Sequence, residues 1–307
     1  MAYRDEPSRI EGRLIDARVR LFESALVEQH PVFSHSVLTQ VSLPYRKLRN
    51  ADGSEVRVWE RSCGAASLSL EAGRLPARGG GWRDVGLPYA SGARLCLLHL
   101  GSEAVRNRSP VVEVEENLTQ FARALGISIG GGRELRNLRE QATRLSVVSM
   151  RIAFRHGEET DQFQGPVFSK LRVGYGSGDQ LGLFSPIVEF SQPFYESLRT
   201  HAVPLRREAV GALKHSSRAL DVYAWLASRL WRVKHPVFLR WGLLHKQFGR
   251  EGTNIYSFRR AFLTALKQAL YVYEPARVEV SQEGITLLRS PPPVPERFIG
   301  DEGGLLR

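Results

Sequence analysis

Apolar residues recur at helical spacing near the start of the chain, at Ile10, Leu14, Val19, Leu21, Phe22, Ala25 and Leu26, and predict a helix over 10–29. The pattern then shortens. Val37-Leu38 and Val56-Arg57-Val58-Trp59 read as short strands within 36–61, separated by Ala51-Asp52-Gly53-Ser54, a hairpin-turn composition. Residues 71–86, rich in Gly and Arg around Gly79-Gly80-Gly81, read as a mobile loop. Leu95, Leu97, Leu98, Leu100 and Ala104 predict a buried helix over 88–105, and a short strand follows at 110–114. Leu118, Phe121, Ala122 and Leu125 predict a helix over 117–125 that Gly126 caps, with a further turn at Gly130-Gly131-Gly132. A helix over 132–146 places Leu135, Leu138, Ala142 and Leu145 on one face. Two β-rich segments, 147–155 and 181–191, flank a polar, Gly-rich run at 156–180.

The same order then recurs. Ala219, Leu220, Tyr223, Leu226, Ala227 and Leu230 predict a strong helix within 204–231, and 236–239 reads as a short strand. A helix over 241–248 ends at Gly249; after a turn at 250–253, Thr253 or Asn254 caps a helix that runs to about Tyr271. Strands at 277–281 and 284–289 fold around Glu283-Gly284. Helix, strand, helix, turn, helix and hairpin is the order of a winged helix, whose third helix enters the major groove while its hairpin grips phosphates. Its recurrence predicts an α+β fold with two tandem winged-helix domains, and 307 residues accommodate two domains of roughly 150 each. The expected layout is a helical extension at 1–32, a first winged domain at 33–191, a second at 192–290, and a disordered Pro/Gly-rich tail at 291–307.

Charge gives the second half its chemistry. The chain carries a net charge of +11, which favours an anionic partner. Between 229 and 270 there are nine Lys or Arg against one acid, Glu251, whereas a merely solvated face interleaves both signs. In the last long helix Ile255, Phe258, Phe262, Leu266, Ala269 and Leu270 recur at three and four residues and must face a core. The opposite face shows Asn254, Tyr256, Ser257, Arg259, Arg260, Thr264 and Lys267. Arg pairs bidentately with guanine and Asn with adenine, while Ser, Tyr and Lys bind the backbone. Thr253 to Arg260 are expected deepest in a groove; Arg240, Lys246 and Gln247 are placed for phosphate. In the first domain Arg133, Arg136, Asn137, Arg139 and Arg144 form a second candidate DNA-contacting face, diluted by Glu134 and Glu140. Lys170, Arg172 and Tyr175 in the Gly-rich run suit a wing tip on the minor groove or phosphate.

Other classes fare poorly. Two cysteines, Cys63 and Cys96, make neither a disulfide framework nor a four-Cys zinc site, and no run approaches the ~20 apolar residues of a membrane span. The polar start, Met1 to Ser8, has no secretory apolar region, so a soluble, cytoplasmic protein without membrane contact is expected. No His-hydrophobe-His pair is present; His30 and His35 have the wrong spacing. The Gly triplets lack the Lys-Ser/Thr of a nucleotide loop. Glu113, Glu115 and Glu116 suit a helix N-terminus better than a metal. No catalytic residue, cofactor or metal is expected, and the chain is read as a non-enzyme.

Long segments resemble the RepA-type plasmid replication initiators: FSHSVLTQVSLPYR (33–46), GLPYASGARLCLLHLGSEAVR (86–106), NLTQFARALGI (117–127) and GGRELRNLREQATRL (131–145). SSRALDVYAWLASRL (216–230), LLHKQFG (243–249), FRRAFLTALKQALYVYEPARV (258–278) and SPPPV (290–294) continue the likeness. The resemblance implies binding of double-stranded DNA at direct repeats (iterons) of a plasmid origin, and origin opening. It also implies recruitment of the host initiator and replicative helicase, copy-number control, and a homodimer that represses or couples origins. The rival reading is a repressor or partition protein that binds a palindromic operator.

Overall fold

The structure, a computed structural model, describes residues 12, 14, 31–77, 79–113, 118–125, 127, 132–156, 158–175, 181–250 and 252–295. The helix expected over 10–29 therefore lies outside the described residues except for Gly12 and Leu14, both helical, with Leu14 buried. Val32–His35 (β1) runs into Ser36–Gln40 (α1), so the strand expected at Val37-Leu38 is a helical turn instead. The reason is local. His35 Nδ1 accepts the Val37 amide at 3.1 Å and caps the turn, while Val37 and Thr39 bury.

The turn at 51–54 forms as expected, closed by Asn50 N donating to Ser54 O at 2.8 Å. Val58–Cys63 (β2) then pairs antiparallel with Ala66–Glu71 (β3). The loop expected at 71–86 is an ordered hairpin, Arg74–Pro76 (β4) against Trp82–Asp84 (β5), with Leu75 buried beneath it. Ala90–Arg106 (α2), Val111–Glu113 (β6), Leu118–Ala124 (α3) and Gly132–Val147 (α4) follow the predicted order. Gly126 and Gly130-Gly131 lie outside the described residues.

The largest departure comes next. Ser149–His156 (β7) and Leu181–Phe190 (β10) are the predicted strands, but Glu159–Pro166 (β8) and Phe168–Tyr175 (β9) occupy the run expected to be irregular. Sparse apolar residues suffice there: Phe163 and Phe168 are buried, while Gln162, Gln164 and Ser169 face solvent in strand alternation.

Gln192–Thr200 (α5), Ala202–Leu205 (β11), Arg207–Leu213 (α6) and Ser217–Arg229 (α7) lead to Val237–Arg240 (β12). Trp241–Phe248 (α8), Ile255–Val272 (α9), Val278–Val280 (β13) and Gly284–Leu287 (β14) complete the order. The tail is less loose than its composition suggests. Pro293 and Val294 are buried, and Tyr273 Oη donates to Pro291 O at 2.6 Å; residues 296–307 lie outside the described set.

The result is a mixed α/β fold in which one strand arrangement occurs twice. In the first half β10 pairs with both β6 and β9, giving the order β6-β10-β9; in the second β14 pairs with both β12 and β13, giving β12-β14-β13. In each case a strand after the first helix lies beside the last strand of the hairpin that follows the third. The first half differs by an insertion: β7 and β8 stand between α4 and its hairpin and join β2 and β3 in the sheet β2-β3-β7-β8.

The halves are not separate bodies. β1 pairs with β11, Val32 opposite Leu205, across the expected boundary at 191 and 192. Arg94 of α2 and Asp221 of α7 form a buried ion pair, and one apolar cluster runs from Phe33 through Phe190, Phe194 and Trp225 to Phe262. Arg61 of β2 donates to Gln247 O at 3.0 Å and Gly249 O at 2.7 Å, satisfying the terminal carbonyls of α8.

Candidate nucleic-acid interface

Helix α9 is amphipathic as its sequence predicts. Phe258, Phe262, Ala265, Leu266, Ala269 and Val272 are buried, and Phe262 packs edge-on against Trp241 at 6.0 Å between ring centroids. Removing one such phenyl ring costs about 3–5 kcal/mol, so this face fixes the roll of the helix. The other face is left outside. Asn254, Tyr256, Ser257, Arg260, Thr264 and Lys267 are exposed, Tyr256 at 82%, and Arg259 is half-exposed.

Two features set the entry into this helix. Gly252 sits at φ 71°, a left-handed conformation that the turn between α8 and α9 requires and that a side chain disfavours. Asn254 is the N-cap: its Oδ1 accepts the Ser257 amide at 2.8 Å, whereas Thr253 lies half-buried one residue earlier. Asn254 thus has a structural duty as well as an exposed amide nitrogen.

Trp241, for which composition gave no functional hint, organises the surface. Its Nε1 donates to Gln282 O at 2.9 Å and its amide to Glu283 O at 3.1 Å, tying the start of α8 to the β13–β14 turn. Arg259 lies over its ring, 5.1 Å from the centroid, and donates to Ser281 O at 3.4 Å. The guanidinium is held in a set direction before any ligand arrives. No local sequence signal links Trp241 to Arg259; the fold alone brings them together.

Arg240 and Lys246 are exposed, and among the described residues neither they nor Arg260 has an acidic partner. Gln247, expected to face phosphate, is 4% exposed instead. Its Nε2 donates to Gln40 O at 2.9 Å, a joint between the halves of the molecule. The β13–β14 turn is Ser281-Gln282-Glu283, which offers an acid rather than a cation.

In the first half Arg133, Arg136 and Asn137 of α4 are exposed and Arg139 is half-buried. Arg144 departs from the expected face. It is buried, donating to Glu55 Oε2 at 2.7 Å, Leu87 O at 3.0 Å and Glu140 Oε1 at 2.8 Å. Those hydrogen bonds from Arg144, helped by Lys47 at 2.9 Å, hold the Glu55 carboxyl down to about 2 despite partial burial. Arg144 is therefore structural. Lys170 is exposed on β9, while the side chains of Arg172 and Tyr175 lie outside the described ones.

His35 has a similar fate. Burial, aided by nearby His201, lowers its pKa to about 3, and its Nε2 meets Ser197 Oγ at 2.9 Å. It is a neutral packing group. Among the described residues no cluster of three or more His, Cys, Asp or Glu is arranged to hold a metal, and no helix is long and apolar enough to cross a membrane.

These features define a mixed α/β protein with a duplicated helix–strand–hairpin arrangement and an exposed basic helix face in each half. Residues 87–237 match the family described as plasmid encoded RepA protein. Over that stretch the resemblance read from its sequence is borne out. Domains 2 and 3 of RctB, solved as a selenomethionine derivative, share the fold with a TM-score of 0.51 and 11% identity, over 83% of this chain and 97% of that one. A second crystal structure of those domains gives a TM-score of 0.49 and 10% identity, over 82% and 94%. No curated protein matches the chain in sequence.

Proposed function

We propose that this protein is a plasmid replication initiator that recognises direct repeats in origin DNA through two winged-helix heads. The observation that carries the reading is the exposed face of α9, where Asn254, Arg259 and Arg260 stand over a helix whose other side is locked into the core. The family match over residues 87–237 and the repeated strand order support it.

The N-terminal half of α9 enters a major groove, and Arg260 and the Trp241-held Arg259 reach base edges. Tyr256, Ser257, Thr253 and Lys267 border the groove, and Arg240 and Lys246 meet the flanking phosphates. In the first head Arg133, Arg136, Asn137 and Arg139 of α4 face a neighbouring groove. The buried joints between the halves keep the two heads in fixed relation, which suits a non-palindromic repeat of about two turns read by one chain. The chemistry is binding and strand opening in the cytoplasm, without a catalytic group. The host initiator, the replicative helicase and a second copy of the chain are the partners of this activity, which sets copy number.

Footprinting on the plasmid that encodes the chain tests the reading. Protection of tandem direct repeats is the expected result; protection of a lone inverted repeat supports a repressor or partition protein and overturns it. With six to ten phosphates neutralised, affinity falls about 10³–10⁵-fold between 50 and 200 mM salt. A shallow dependence with no preference for duplex DNA removes the DNA-binding reading altogether.

A further inference from the structure

The β4–β5 hairpin lies beside α4, and the two enclose a groove of about 370 Å³ lined by Arg83, Arg136 and Arg139 together with Glu55, Asp84 and Glu140. The acids are already engaged. Asp84 pairs with Arg57 at 2.9 Å and Arg74 at 3.0 Å; Glu55 and Glu140 pair with Arg144 at 2.7 and 2.8 Å. Arg83 and Arg136 are exposed and have no acidic partner among the described residues. The groove thus presents two uncompensated guanidiniums, one from the hairpin and one from the helix.

The arrangement is built in. Gly86 passes so close to Glu55 and Arg144 that a Cβ there would collide with both side chains, so the segment leaving β5 is pressed onto the base of α4. Leu75 is buried opposite Arg83 in the hairpin register, which fixes the strand that carries the arginine. Trp82, next to Arg83 and 68% exposed, is paired with Pro76 and points to the other face of the hairpin, away from the groove.

We propose that this hairpin is a DNA-binding arm of the first head, with Arg83 and Arg136 bracketing a backbone phosphate of the duplex that α4 contacts. The inference rests on the reading of the chain as a duplex-DNA binder and adds a contact that α4 does not supply alone. Planar guanidinium forks match phosphate oxygens in pairs, and two of them on opposite walls fix the register of a backbone without reading its sequence.

The experiment compares full-length protein with Arg83→Ala, Arg136→Ala and Trp82→Ala on duplex repeat DNA and on the same duplex with scrambled sequence, across a salt series. Each Arg variant is expected to weaken binding to both duplexes by about tenfold and to reduce the salt slope by about one. Trp82→Ala, on the other face of the hairpin, is expected to leave affinity and slope unchanged. All three positions are exposed, so thermal unfolding stays at the parent value. If the parent binds and both Arg variants keep its affinity and slope, the arm is overturned while the initiator reading stands. If the parent shows no preference for duplex DNA, that reading fails and takes the arm with it. Arg83-dependent binding of inorganic phosphate with duplex affinity unchanged makes the groove a small-anion site and also overturns the proposal.

Discussion

Arg94 grips Asp221 side-on: its Nε donates to Oδ1 and its Nη2 to Oδ2, both at 2.7 Å, with the two residues 5% and 7% exposed. The same guanidinium donates to Leu43 O, Pro44 O and Ala90 O, so its charge is fully used. The pair joins α2 of the first half to α7 of the second. Asp221→Ala leaves a cation buried without a counter-ion and is expected to cost about 3–5 kcal/mol in urea unfolding. The double variant Arg94→Met, Asp221→Leu should recover only part of that, because three carbonyls lose their donor.

Arg144 and Arg136 stand on the same helix and should separate cleanly. Arg144→Ala is expected to destabilise the fold, since its side chain is only 6% exposed, whereas Arg136→Ala should leave the melting temperature unchanged. The pH dependence gives a second readout. Glu55 titrates at about 2 in the folded chain against an ordinary value of 4.5, so its contribution is complete above 4.5 and is lost as pH falls toward 2. Arg144→Ala should flatten the acid limb of a stability–pH curve in that window.

Asn254 both caps α9 and faces outward, and two substitutions divide those duties. Asn254→Ala is expected to lower stability by about 1 kcal/mol, read in thermal or urea melts. Asn254→Asp keeps the acceptor for the Ser257 amide and should leave stability near the parent value. It also removes the amide donor and adds a negative charge, so binding to repeat DNA should fall in a titration.

Arg259 and Arg260 are expected to cost about 1–3 kcal/mol of DNA affinity each when replaced by Ala. The structure adds a distinction. Arg259 is aligned by the Trp241 ring and Ser281 O, so Trp241→Phe should weaken binding through Arg259. In an Arg259→Ala background the same change should have little further effect, and a double-mutant cycle on repeat DNA measures that coupling.

Much of the second half was legible from its sequence because periodicity and punctuation agreed. Trp241–Phe248 has the predicted limits, and Asn254 and Gly249 bound their helices where composition places them. The exposed side of α9 followed from its apolar stripe. Long-range partners were not legible. Arg144 has the same helical spacing as its exposed neighbours and is buried because Glu55, distant in sequence, reaches it; Gln247 turns inward to a carbonyl of Gln40. The β4–β5 hairpin and the β8–β9 run were hidden by glycine and polar residues, because strands that bury one apolar residue in two or three give a faint pattern.

The pairing of β1 with β11 bears on how the chain comes to be made. Val32 has no strand to join until Leu205 has emerged from the ribosome, after all of the intervening chain has been made. Contacts of such high sequence separation slow folding, because the intervening chain must be closed before the contact repays the loop entropy. The nascent first half therefore waits with an open strand edge, a state prone to chaperone capture and aggregation, and completes its sheet only when the second half arrives.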